Sequence, residues 1–236
     1  MKRAIIMIAV MALLGGGLSA QQLGTSGADG PPGSWDPGIN VIKQHNTNDL
    51  VALSGISCVG GGVTTDTTIL RRFDLDDDHN INFEFTVDSV WIGVEVCNPG
   101  AFNSQDVTIR TLRIPSAAPF TFGNMDLLDT TVIQCTAGDD LSVIGPIPIG
   151  GTINNPGSQD LVVSIWTPDN QENGSQGAFF FGGNGNGEIG DTYIAADDCG
   201  IFDPLALTEL DFFENHWVMG VRGFEAPVEL EHFIVD

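Results

Sequence analysis

The sequence predicts an all-β protein, an antiparallel β-sandwich of jelly-roll type with one short connecting helix. Three observations predict it. Apolar residues recur at every second position in segment after segment, as in Phe83, Phe85 and Val87 against Glu84, Thr86 and Asp88. Turn chemistry separates these segments: Gly60, Gly61 and Gly62; Asn98, Pro99 and Gly100; Asn155, Pro156 and Gly157; and the Gly/Asn run of residues 182–187. No stretch carries the 3.6-residue apolar repeat of a long helix, and no internal repeat is visible.

Taken in order, residues 1–20 carry Lys2 and Arg3, an apolar run over 4–14, and the small-residue end Leu18, Ser19 and Ala20. This is the pattern of a cleavable secretory signal, and the run is too short to cross roughly 30 Å of hydrocarbon as a retained anchor. Residues 21–39 are rich in Gly, Pro and Ser and lack periodicity, which gives a flexible leader. A single β-sandwich domain is expected over 40–223, with strands at 50–56, 67–73, 83–87, 90–96, 106–114, 130–136, 161–167, 178–181, 192–195 and 216–222. In the segment 90–96 the positions between the apolar residues include Trp91 and Gly93, so this strand is expected to be central. Asp203 as an N-cap with Pro204 at the first helical position predicts the connecting helix, running to Leu210. Residues 224–236 are expected to form a tail strand.

The chain has 8 basic and 31 acidic residues; without the signal, 6 basic residues remain and the net charge is −25. Such a field repels phosphates and anionic lipid, which excludes nucleic acid as a partner. No later stretch is apolar for long enough to enter a membrane. Cys58, Cys97, Cys135 and Cys199 are an even set in an exported chain and imply two disulfides. Three pairings are open; Cys97 with Cys135 and Cys58 with Cys199 is the expected one.

Three stretches together carry a resemblance. They are Thr64, Thr65 and Asp66 leading to Arg71, Arg72, Phe73, Asp74 and Leu75; then Phe85, Thr86, Val87, Asp88, Ser89 and Val90 with Gly93, Val94 and Glu95; and finally residues 161–169 followed by Phe180, Phe181, Gly182, Gly183 and Asn184 and by Asp198, Cys199 and Gly200. Their order resembles an uncharacterised extracellular bacterial β-sandwich module, found alone or appended to secreted enzymes and surface proteins, and the likeness covers roughly residues 50–223. Residues 227–236 are similar to the linker strand that precedes anchoring tails in surface proteins of Gram-negative bacteria. The resemblance implies an accessory or binding module and supplies no catalytic residues.

Several constellations could carry chemistry. Asp74, Asp76, Asp78, Asn80 and Asn82 place side-chain oxygens at alternate positions, the spacing by which a bent loop turns ligands toward one calcium ion. His79 stands where an EF-hand loop needs Gly, and Phe85 where it needs its closing Glu, so the alternative is an acidic solvated turn. Asn184, Asn186, Glu188 and Asp191 form a second candidate oxygen cage, or a plain strand connection. For a glycan, which presents apolar ring faces and polar edges, Trp166 beside Asp169 and Asn170 is the candidate ligand site. Trp35 is a further candidate for exposure, whereas Trp91 and Trp217 are expected in the core. There is no GxSxG elbow and no HExxH, and His45, His79, His216 and His232 have no ligand spacing. The expectation is a secreted non-catalytic binding or adhesion module, calcium-stabilised through the Asp-rich stretch, whose partner is a polysaccharide or cell-surface component. A self-assembling surface protein is the alternative, and a hydrolase with an unrecognised carboxylate pair the third.

Overall fold

The computed structural model describes residues 39–212 and 215–226, and twelve of their sixteen strands form two antiparallel six-stranded sheets that share one core, while the other four pair as two short two-stranded ribbons. The strands are β1 (Ile39–Lys43), β2 (Val59–Gly60), β3 (Val63–Thr64), β4 (Thr67–Phe73), β5 (Phe85–Asn98), β6 (Gln105–Pro115), β7 (Asp126–Cys135) and β8 (Ser142–Pro148). There follow β9 (Thr152–Ile153), β10 (Gln159–Thr167), β11 (Ala178–Phe181), β12 (Gly183–Asn184), β13 (Thr192–Ala196), β14 (Ile201–Ala206), β15 (His216–Trp217) and β16 (Met219–Glu225). The first sheet runs β1-β16-β5-β11, with β8 and β9 also on β5; the second runs β14-β13-β4-β10-β6-β7. The all-β sandwich expected from the alternation is the observed architecture.

The expected strands 83–87 and 90–96 are one long strand, β5, and it is central: β16 pairs along Phe85 to Ile92 on one edge while β8 pairs along Ser89 to Val94 on the other. The apolar series changes phase between Val87 and Val90, and there the register shifts, so that Asp88 and Ser89 form a β-bulge. The bulge keeps Phe85, Val87, Val90, Ile92 and Val94 all in the core. A second shift opposite Phe180 and Phe181 frees Glu95 from the ladder and turns Cys97 inward. Phe83, expected on the buried face, lies before the strand and is 48% exposed.

From the second sheet Ile69, Phe73, Val107, Ile109, Leu161, Val163 and Ile165 face the same core. Cys97 of β5 bonds to Cys135 of β7 and so ties one sheet to the other, while Cys58 bonds to Cys199, closing a separation of 141 residues. The disulfides pair as expected. Charge is also buried here. Arg71, alternating with Leu70 and Arg72 toward the interior, pairs with Glu188, donates from Nε and Nη2 to the Trp217 carbonyl at 3.1 and 2.8 Å, and reaches Gln44 Oε1. His216 Nδ1 lies 3.1 Å from the other Glu188 oxygen without hydrogen-bond alignment.

Three expectations are corrected. Residues 203–206, read as the start of a helix, belong to the edge strand β14 (Ile201–Ala206), and the connecting helix is a single 3-10 turn, Leu207–Leu210, with Ala206 rather than Asp203 at its N-cap. Pro204 lacks an N–H, which an edge strand tolerates as readily as a first helical turn, so the residue does not discriminate between them. Residues 50–56 form no strand; Leu53 has φ +68°, and its N–H and that of Gly55 are both taken by the buried Glu95 carboxylate. The segment lies instead over the outer face of the first sheet, with Leu50 against Gly93 and Gly182. The strands at 39–43 and 142–148 were not expected; the second contains Pro146 and Pro148 and pairs only with β5, as an edge does. Strand β16 continues to Glu225, so Phe224 and Glu225 belong to the domain rather than to a tail. The signal, Trp35, nearly all of the leader, and residues 227–236 lie outside the described residues.

Candidate functional site

The outer face of the second sheet divides into a covered end and an open one. Leu70, Leu112, Ile114 and Val162 form a small second core under Ala118, Phe120, Met125 and Tyr193. At the open end stands Trp166, on the outward side of β10 with Thr68 of β4 and Thr108 of β6 as its cross-strand partners. The indole is half-exposed, and the Arg110 guanidinium lies 6.0 Å from its ring centre.

Pro168 ends β10, and the turn that follows is organised by Asp169, whose Oδ1 accepts the N–H of Gln171 at 2.6 Å and of Glu172 at 3.1 Å. Beside this turn opens a pocket of about 610 Å³ lined by Trp166, Asp66, Asp169, Glu172, Asn173, Asp197 and Asp198. Asp66 enters from the link between β3 and β4; Asp197 and Asp198 come from the 3-10 turn that Cys199 fastens to Cys58. Partial burial raises the pKa of Asp66, and the negative charges of Asp198, Asp197, Asp169 and Glu172 raise it further.

Trp166 and Asp169 thus line one pocket, but Asn170 does not join them. It is fully buried, donating from Nδ2 to Thr64 Oγ1 at 2.9 Å and accepting from Ser175 Oγ at 2.7 Å, so its amide holds the turn together and offers nothing to a ligand. The wall made by Asp66, Asp197 and Asp198 is not visible in the sequence because Asp66 lies far along the chain from the other two. The one local signal is two adjacent acids beside a disulfide cysteine.

The Asp74, Asp76, Asp78, Asn80 and Asn82 stretch forms the turn between β4 and β5. Asp74 Oδ1 accepts the Asp77 N–H at 3.0 Å, Asn80 N–H goes to the Asp76 carbonyl at 3.0 Å, and Asn82 N–H goes to Glu225 Oε1 at 2.8 Å. Asp74 and Asp78 face a second pocket, of about 340 Å³, shared with Arg72, Asp160, Asp191 and Tyr193. Burial lowers the pKa of His79 against the opposing pull of Asp78 and Asp74. Among the described residues no three His, Cys, Asp or Glu side chains are grouped so as to hold a metal ion.

Three side chains of the second oxygen set are engaged in structural contacts. Asn184 is buried and donates to the Thr47 and Asp49 carbonyls at 3.1 and 2.8 Å, Asn186 donates to Thr47 Oγ1 at 2.9 Å, and Glu188 is the partner of Arg71. Of the other tryptophans, Trp217 packs in the core against Phe181, as expected. Trp91 does not; it faces outward and is half-exposed.

No protein-family model and no curated protein matches the chain. Among solved structures, the chain is similar to the cysteine protease and lectin-like domains of Cwp84, a surface layer associated protein of Clostridium difficile, at 13% identity and a TM-score of 0.44. The similarity spans 81% of this chain and 37% of that one. No described helix is long and apolar enough to cross a membrane.

Proposed function

We propose that the protein is a secreted, non-catalytic binding module that takes a glycan of a cell surface or matrix at the Trp166 pocket. The observation that carries this is the half-exposed indole lining an open pocket together with Pro168, five carboxylates and the Asn173 amide. A pyranose offers an apolar ring face to an indole and hydroxyl donors to carboxylate acceptors, so both kinds of group find partners on one ligand. Five carboxylates against the single guanidinium of Arg110 favour a neutral or amine-bearing sugar and oppose an anionic one. Calcium, suggested by the spacing of Asp74, Asp76, Asp78, Asn80 and Asn82, belongs to the reading as a stabiliser of that turn, and it is carried into the test because no described cage of carboxylates supports it in the geometry.

The test is a panel of neutral and amino-sugar polysaccharides titrated against the chain in millimolar calcium and again with chelator. Trp166→Ala should weaken the binding observed by at least about tenfold, as loss of a central aromatic contact does. Binding that persists in chelator removes calcium from the reading and leaves the pocket. A chain that binds no member of the panel, or that binds equally well without Trp166, sinks the proposal. Release of reducing ends by the bound chain would move the protein to the hydrolases.

A further inference from the structure

The outer face of the first sheet holds a second aromatic site, remote from the acidic pocket. Trp91 lies between Val90 and Ile92, both wholly buried, so its side chain projects from the opposite side of β5, away from the core. Its neighbours on both flanks are glycines. Gly220 of β16 is its cross-strand partner, and on the other edge the register shift of β8 sets Gly145 against the ring. A Cβ on Gly145, where φ is +152°, would overlap the indole Cδ1 and Cγ, and one on Gly220 would stand 3.7 Å from Cε3. Neither adjacent strand therefore raises a side chain beside the indole at these positions.

The charges around it differ in sign from those at Trp166. In the same row, beyond Gly220, stands the exposed Lys43 of β1. Arg222, the next outward residue of β16, donates from Nε to Asp88 at 2.6 Å. Of the other cations in the domain, Arg71, Arg72 and Arg113 are held in ion pairs and Arg110 lies over Trp166. Lys43 has no carboxylate partner among the described residues, in a chain with 31 acidic ones. At a strand spacing of about 4.8 Å, two strands place its backbone roughly 10 Å from that of Trp91, within reach of a flexible lysine across one pyranose ring.

We propose that this face is a second binding surface, for a carboxylate-bearing sugar whose ring stacks on Trp91 and whose acid group meets the Lys43 ammonium. The carboxylates around Trp166 repel such a ligand, so the two faces of the sandwich take glycans of different charge. The inference shares the binding-module reading but is independent of the Trp166 pocket.

The experiment is calorimetric titration of the full chain with oligogalacturonate, in chelator so that no calcium bridges two acids, beside a neutral galacto-oligosaccharide and a sulfated dextran. Trp91→Ala should weaken oligogalacturonate binding at least about tenfold and Lys43→Gln about three- to tenfold, with Trp166→Ala leaving it unchanged. Lys43 is exposed on an edge strand, so its substitution reports on contact rather than folding, and a thermal melt checks the Trp91 variant. Equal response to sulfated dextran in both variants would widen the ligand to any anionic sugar. No binding of oligogalacturonate by the parent chain, binding within twofold in both variants, or a loss confined to Trp166→Ala would each overturn the proposal.

Discussion

The outer faces of the two sheets are each half covered, but by different physics. On the second sheet the cover is apolar: Phe120, Ala118 and Met125 close over Leu70, Leu112, Ile114 and Val162. On the first it is fastened by a charge: residues 50–55, with Leu50 over Gly93 and Gly182, are held down by Glu95, whose buried carboxylate accepts the N–H groups of Leu53 and Gly55. An apolar cover loses stability in proportion to the area it exposes, whereas a carboxylate clamp fails at once when its acceptor is removed. In both cases the uncovered part of the face keeps one half-exposed tryptophan, Trp166 or Trp91.

The two covers differ most in their sensitivity at Glu95. Glu95→Ala leaves two N–H groups without their charged acceptor and should cost about 4 kcal/mol. Chemical denaturation would show this, with fast amide exchange at Leu53 and Gly55; a variant as stable as the parent would mean that the loop is not clamped.

Acid should separate the two sheets next. His45 follows β1 and is buried; its Nδ1 accepts the Met219 N–H at 3.2 Å, so Nε2 carries the proton and bonds to Asn48 Oδ1 at 2.7 Å. Burial is the largest cause of a pKa lowered from 6.5 to about 4. Because the unfolded chain takes up this proton first, the stabilisation is complete above pH 6.5 and is lost as pH falls toward 4, by about 3 kcal/mol. Amide exchange in β1 and β16 should accelerate over that window, and His45→Gln should flatten the dependence. Unchanged exchange would mean that the imidazole is not held neutral.

On the second sheet the sign reverses. The carboxyl of Asp66 titrates above its ordinary value, so its neighbours' repulsion is relieved as pH falls. Phe120→Ala should cost about 2 kcal/mol with little pH dependence, since Phe120 is only half-buried where it packs on Tyr193 at 4.2 Å. The smallest effect expected is a slight rise in melting temperature at neutral pH for Asp66→Asn, which removes one charge from five; a fall instead would show that Asp66 is held by an attractive contact.

Much of this arrangement is legible in the amino-acid sequence. Short runs rich in β-branched and aromatic residues, bounded by turn residues, mark β4, β6, β10 and β11 close to their observed bounds; β6 alternates, whereas β10 is buried on both faces and carries a continuous apolar run over Leu161, Val162 and Val163. The change of phase between Val87 and Val90 is itself the record of a bulge. The site is legible only in part. Trp166 and Asp169 are near in sequence and share a pocket, while Asn170, their immediate neighbour, turns inward to bond Thr64. One-residue spacing in a turn does not fix which way a side chain points. Trp91 departs from expectation for a related reason: apolar neighbours on a central strand suggest burial on both faces, and only the glycines at 145 and 220 show that one face is left open.

The strand alternation and the turns between strands follow from residues adjacent along the chain, and the acidic charge and the even cysteine set from composition alone. The fold settled what neither of these can reach. It placed Pro204 in an edge strand instead of a helix, drew Asp66, Asp169, Asp197 and Asp198 to one pocket, and left a tryptophan on each outer face. Those outcomes rest on pairing between strands distant in sequence, where hydrogen-bond register and the burial of the shared core override what any local segment prefers.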